Sequence, residues 1–291
     1  MNGILLIDKA PDWTSSDVVA KLRGVLHEKR IGHAGTLDPM ATGLLVLFVG
    51  RATRACAFAE AEDKTYRAAL RLGRTTDTQD VTGRTLREAD ASFVTETILT
   101  ETLTHFTGAI EQIPPMYSAI KQGGKKLYEI ARRGGEVERK PRPITVHRIV
   151  CTGRSGEDWL LDIECSKGTY VRTLCHDIGE ELGCGGCMSA LRRVRAGQFA
   201  VENAHSVAEV IAAAAEGRAE ELLLPLDSLF AAYPALTIGA EEERRLRCGN
   251  DYPLSGTPDG LWRVYGETGA FLALSRAEAG QLTTIKSFFE V

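Results

Sequence analysis

Residues 65–72 alternate strictly, with Tyr66, Ala68, Leu70 and Leu72 on one side and Thr65, Arg67 and Arg71 on the other. A period of two marks a strand that buries one face, so the chain must build a sheet and cover it. Continuous apolar runs at 4–7 and 44–49, the second stopped by Gly50, read as further strands, and 144–150 with 159–165 read as a strand pair about a turn at 153–158. Helical spacing follows Thr14–Ser16, where Val18, Val19 and Leu22 share a face and Ser or Asp serves as cap. It recurs at 95–106, at 125–133 closed by Gly134 and Gly135, at 169–182 with Val171, Leu174, Ile178 and Leu182 inward, and at 206–216. Residues 262–265 and 270–274 are strand candidates in the tail. Strands and helices mix without regular βα alternation, which predicts an α+β fold rather than a doubly wound sheet.

Charge is distributed unevenly. The whole chain is net -4, but residues 201–291 hold seven Lys/Arg against fourteen Asp/Glu. Residues 119–148 hold nine basic side chains against Glu129, Glu136 and Glu138, a local excess that suits a phosphate-facing surface or, equally, a solvated one. No apolar run approaches the ~20 residues of a membrane span. Residues 1–13 lack a basic start and meet Asp8 early, so no leader peptide is expected. Seven cysteines, an odd number, suit reduced thiols in the cytoplasm. Cys184-Gly-Gly-Cys187, with Cys175 and His176 upstream, could be drawn as a zinc site, but a thiol pair in a glycine-rich turn is the simpler reading. There is no GxGxxG opening a helix, no Walker loop, no HExxH and no GxSxG. Neither a metal nor a nucleotide cofactor is therefore expected.

The densest stretch is Gly32-His33-Ala34-Gly35-Thr36-Leu37-Asp38-Pro39-Met40-Ala41-Thr42-Gly43, read as a loop. Pro39 biases Asp38 away from helical backbone, and the glycines let a ligand approach the main chain. A turn closed by Asp38 and a site presenting Asp38 are both consistent with these residues. The stretch resembles the catalytic motif of the TruB family of tRNA pseudouridine synthases. Further ordered motifs share the resemblance: Gly3–Lys9 with Thr14–Val19, Lys64-Thr65-Tyr66, Leu72–Asp80, Gln112–Lys121 with Gly124–Tyr128, Cys165–Leu174, and Leu191-Arg192-Arg193. Three positions depart from the pattern. The usual KPxGxTS reads Lys9-Ala10-Pro11-Asp12-Trp13-Thr14-Ser15, and Arg54 replaces a usual lysine.

The resemblance implies a pseudouridine synthase fold, with a central mixed, largely antiparallel sheet flanked by helices, over residues 1–232. Within it, about 112–148 would form the basic tRNA-binding segment, and 233–291 would be a short, β-rich, PUA-like C-terminal domain. It implies isomerisation of uridine to pseudouridine at position 55 of the tRNA T-loop, after base flipping. The N1–C1′ bond must break and C5 must bond C1′, which requires no redox step. Asp38 would be the nucleophile, at the ring or at the sugar, Arg172 its cation, and Tyr66 the stacking tyrosine that assists proton removal. His33 would prop the RNA open, and Tyr170 and Lys9 would line the site. Lys121, Lys125, Lys126, Arg132 and Arg142 would meet phosphates, with Arg263 or Lys286 as local contacts in the acidic tail. A tRNA-folding chaperone, in which binding outweighs catalysis, is the alternative, and a hydrolytic glycosidase would need a second placed carboxylate. The expected partner is the tRNA T-arm, with no membrane contact, and the expected state is a cytoplasmic monomer. Every catalytic candidate precedes residue 200, so the first 232 residues are expected to hold the pocket alone.

Overall fold

A computed structural model describes residues 1–254 and 256–289; the last two residues of the expected tail domain lie outside these. The main sheet runs in the order Gly3–Lys9, Thr42–Val49, Gly186–Ala196, Lys64–Leu72, Asp158–Cys165, Arg142–Ser155, Gly108–Gln112. Short strands Ile31–Ala34 and Phe199–Ala200 add to Thr42–Val49 and Gly186–Ala196. Among the described pairings of this sheet only Gly186–Ala196 beside Thr42–Val49 is parallel, so the sheet is mixed and largely antiparallel.

Both faces of Gly3–Lys9 and Thr42–Val49 are covered, which is why these strands read as continuous apolar runs. Leu5, Ile7, Leu45 and Leu47 pack with Tyr66, Leu70, Ile163 and the inward faces of helices Ser15–Val25, Glu96–His105, Val171–Glu181 and Val207–Ala215. Ile4, Leu6, Leu44, Val46 and Phe48 pack on the opposite side with Phe199, Val201 and Phe230. The helix after Thr14 takes Thr14 itself as cap, through a reciprocal box with Asp17, instead of the Ser or Asp expected.

Two expectations change, and one strand was not expected at all. The 32–43 stretch is a loop only from Gly35 to Ala41, since His33 lies in Ile31–Ala34 and Thr42 and Gly43 begin the next strand. Lys125 and Lys126 are not helical: they pair with Gln122 and Lys121 across Gly123 and Gly124, whose φ of 58° and 80° form a two-residue hairpin turn. The helix is confined to Leu127–Ala131. Gly186–Ala196, which the periodicity does not reveal, is an interior strand of the sheet, between Thr42–Val49 and Lys64–Leu72.

At Tyr233-Pro234 the chain leaves this body for a second sheet, in the order Ala235–Ile238, Gly260–Gly266, Phe271–Glu278, Gln281–Ser287, Tyr252–Pro253, with helix Ala240–Arg247. The second sheet has its own core around Tyr252, Val264 and Leu282. It is also fused to the body: Phe271, Leu274 and Phe288 join the cluster around Phe230. The Phe230 ring stands 5.3 Å from Phe58, 6.0 Å from Phe271 and 5.8 Å from Phe288.

Candidate active site

The turn carrying Asp38 is pinned from below. Gly35 and Gly43 bracket it with φ of 80° and 94°, and a Cβ on Gly43 would come within 2.3 Å of the Arg193 carbonyl oxygen, so glycine is required by backbone angle and space together. The Ser15 hydroxyl accepts from the Leu37 amide at 2.9 Å, and the Asp12 amide donates to the Pro39 carbonyl at 2.9 Å. Lys9, expected to meet substrate, is fully buried. Its Nζ donates to the carbonyls of Ala10, Trp13 and Pro39 at 2.9, 2.7 and 3.2 Å. Its three donors are spent on the main chain, so it staples the turn and does not reach the cleft.

Asp38 leaves this turn with its side chain one-third exposed (33%) and meets Arg172, buried at the first turn of Val171–Glu181, at 3.1 Å between Oδ2 and Nε. Arg172 also donates to the Tyr117 carbonyl at 2.8 Å and the Thr78 carbonyl at 3.5 Å, and lies 3.9 Å from Asp80. Asp80 is a second carboxylate, at the end of the Leu72–Asp80 motif. Its turn folds back so that Asp80 Oδ1 accepts from Thr78 Oγ1 (2.8 Å) and from the amide and hydroxyl of Thr82 (3.0 and 2.5 Å), leaving Oδ2 towards Arg172. Burial raises the Asp38 pKa above the usual carboxylate value; Arg172 opposes the rise, Asp80 adds to it and Lys9 opposes it.

Tyr66, on the alternating strand, is buried, and burial raises its pKa, with Arg193 opposing the rise. Arg193 is a site residue noted only within a motif. It is 1% exposed and donates to the carbonyls of Leu44 (2.7 Å) and Gly35 (3.0 Å). Its charge thus lies beneath both the Asp38 turn and Tyr66. Tyr170 precedes Arg172 at the helix start, half-exposed, and burial raises its pKa too. His33 is half-buried, its Nδ1 without a hydrogen-bond partner, and burial lowers its pKa, Arg193 adding to the effect.

The basic side chains are set apart from this cluster. Lys121, Lys125, Arg132 and Arg142 are exposed. Lys126 is half-buried, with Nζ 5.3 Å from the Tyr128 ring centre, and Arg132 lies 5.3 Å from the same ring. Arg142 stands opposite Gln112 in register, at the edge of the sheet nearest Tyr170. Arg263 in the tail is engaged, donating to the Tyr233 carbonyl at 2.9 Å, whereas Lys286 is exposed. Cys175, Cys184 and Cys187 are buried, and burial raises each thiol, to about 11 for Cys187. No group of three or more metal-ligating side chains occurs among the described residues. No helix among them is long and apolar enough to cross a membrane.

An aspartate on a pinned glycine turn, paired with a buried arginine beside two tyrosines, coincides with two family models. Residues 23–171 match the TruB family pseudouridylate synthase N-terminal domain, and 172–231 match the tRNA pseudouridylate synthase B C-terminal domain. The chain belongs to the TruB family. Its relatives include tRNA pseudouridine synthase B of Syntrophotalea carbinolica, 44% identical over 86% of this chain and 81% of that one. The protein of the same name from Dechloromonas aromatica is 44% identical over 92% and 89%, and that from Clostridium perfringens 39% identical over 96% of each. Among solved structures, one of an H/ACA RNP bound to a substrate RNA containing 2′-deoxyuridine and one of a Cbf5–Nop10–Gar1 complex share the fold. Each has a TM-score of 0.74 over 99% of this chain and 85% of the neighbour, at 23% and 25% identity. The α+β pseudouridine synthase fold is thereby shown, and with it membership of a family of uridine isomerases.

Proposed function

We propose that this tRNA pseudouridine synthase acts on the uridine at position 55 of the T-loop, with Asp38 as its nucleophile. The observation that carries the reading is the Asp38–Arg172 pair, held at 3.1 Å on a turn pinned by hydrogen bonds with Lys9, Ser15 and Asp12. A carboxylate in a partly dry cleft reverts to its neutral form unless a cation lies beside it, and Arg172 supplies that cation while itself anchored to two carbonyls. Ionised, Asp38 attacks the uridine, at the ring or at the sugar; the N1–C1′ bond breaks, the uracil turns, C5 bonds C1′, the bond to Asp38 breaks to return the carboxylate, and the C5 proton leaves while N1 gains one. Reactant and product are isomers, so the reaction consumes no co-reactant.

The target base is stacked in a folded loop and must be extruded, at a cost of a few kcal/mol. Stacking on an aromatic ring returns ~1–3 kcal/mol per base. Tyr66, close enough to Asp38 to feel its charge, is the platform, and Tyr170, which also feels that charge, lines the site. His33, its Nδ1 unpaired, occupies the space the base leaves. Lys121, Lys125, Arg132 and Arg142 meet backbone phosphates by charge and shape, as RNA loops require. We further read residues 1–232 as the catalytic domain and 233–291 as a PUA-like domain, in a cytoplasmic monomer. Mapping of pseudouridine in an unmodified tRNA transcript and in its isolated T-arm hairpin tests the assignment. Modification confined to position 55 in both supports it, and modification elsewhere, or only in the whole tRNA, removes the T-arm claim.

A further inference from the structure

The first turn of the helix Val171–Glu181 is gripped from two sides by glutamine side chains that no step above uses. Gln112, 2% exposed at the end of Gly108–Gln112, accepts from the Tyr170 amide at 2.8 Å and donates to the Tyr170 carbonyl at 3.1 Å. One side chain thus engages both polar groups of one backbone residue, as a neighbouring strand would, and satisfies an amide the helix start leaves open. On the other side, Thr173, 2% exposed, donates its hydroxyl to Gln79 Oε1 at 2.7 Å. Gln79 is itself held in an unusual backbone state, with φ of 64°, a region that non-glycine residues adopt at a cost. Its carbonyl accepts from the Met188 amide at 3.0 Å, which ties it to the strand Gly186–Ala196. Its chain neighbours, Thr78 and Asp80, are the ones that face Arg172.

We infer that Gln112 and the Gln79–Thr173 hydrogen bond are positioning elements that set the placement of Arg172 against Asp38. The two grips flank Arg172 in sequence, at Tyr170 and at Thr173. One comes from the root of the basic segment, whose Tyr117 carbonyl also receives Arg172, and the other from the turn bearing Asp80. A helix start fixed at both flanks leaves its guanidinium little freedom, and reaction rates are steep in such placement. The inference rests on the reading of Arg172 and Asp38 above.

The test uses the full chain with Gln112→Met, Thr173→Val and Thr173→Ser, and Arg172→Lys as reference. The readouts are the single-turnover rate at saturating enzyme, the tRNA Kd, and the pH at which the rate falls on the acid side. Asp38 is faced by Arg172 from the helix, Asp80 from the turn and Lys9 from the first strand. Loosening Arg172 therefore moves that limb to higher pH. Gln112→Met and Thr173→Val should each slow the chemical step by about tenfold or more, leave the tRNA Kd unchanged and shift the limb upward. Thr173→Ser, which keeps the hydroxyl, should restore rate and limb. If Gln112→Met does not fold, Gln112→Glu, which keeps the acceptor and loses the donor, takes its place with an intermediate rate. Folded variants that run at the wild-type rate with an unmoved limb overturn the inference, as does a Thr173→Ser protein as slow as Thr173→Val. Full activity in Arg172→Lys would instead strike the reading of Arg172 itself.

Discussion

Asp38 carries opposing demands. Burial raises its pKa, and Asp80 adds to the rise, while Arg172 and Lys9 counter it. A base with a raised pKa holds its proton to higher pH, so activity is lost as pH falls through that raised value. The single-turnover rate should therefore fall on the acid side above the ordinary carboxylate range, and Arg172→Gln should move the fall further up. A fall at or below the range of an exposed aspartate would contradict this. Lys9 illustrates how a motif residue changes meaning once its surroundings are known. Its charge reads as a substrate contact in a linear motif, but its ammonium lies among three carbonyls. Lys9→Met should cost about 1–3 kcal/mol in denaturant unfolding, through carbonyls left unpaired, and leave the salt dependence of tRNA binding unaltered. A flattened salt dependence would return Lys9 to the RNA surface. Asp38 and Arg172 were legible because each sits in a dense local motif. Asp80 and Arg193 were less so, because what makes them matter is a partner about ninety or more residues away in the chain.

At the scale of elements, runs with a clear period were legible to within a few residues: Lys64–Leu72, Glu96–His105, Val171–Glu181 and the Arg142–Ser155 hairpin. The interior strand Gly186–Ala196 was not, because Arg192, Arg193 and Arg195 break its apolar pattern. The fold accommodates them with partners: Arg192 pairs with Asp8 at 2.7 Å, and Arg193 is sheathed in carbonyls. The hairpin of the basic segment was signalled by Gly123-Gly124 but obscured by the helical spacing that follows. It changes which lysines are free. Lys125 projects at the turn, whereas Lys126 is drawn over Tyr128. Lys125→Ala should weaken tRNA binding and lower the log–log salt slope by a little under ~1. An unchanged slope would show this hairpin to be a solvated face.

Over the whole molecule, the chain order suggested an independent first part, and the packing qualifies that. The tail contributes Phe271, Leu274 and Phe288 to a cluster built on Phe230, and its Ser287 and Phe289 carbonyls receive the Arg54 guanidinium at 3.3 Å each. Tyr265 donates to Asp227 at 2.5 Å across the same seam. Each buried Phe or Leu side chain contributes ~1.5–3 kcal/mol, so removing residues 234–291 should lower the melting temperature markedly. While the truncated protein is folded, its chemical step should persist, because Asp38, Tyr66, Tyr170 and Arg172 all lie outside that seam. Loss of chemistry in a truncation that still melts cooperatively would make the tail part of the active site. The most direct test of the central claim is tritium release from tRNA labelled at uridine C5, in a single turnover with excess enzyme. Wild type should release label stoichiometrically, while Asp38→Asn binds the same tRNA with similar affinity and releases none. Release by Asp38→Asn preparations free of deamidated protein would contradict the assignment of Asp38 as the nucleophile.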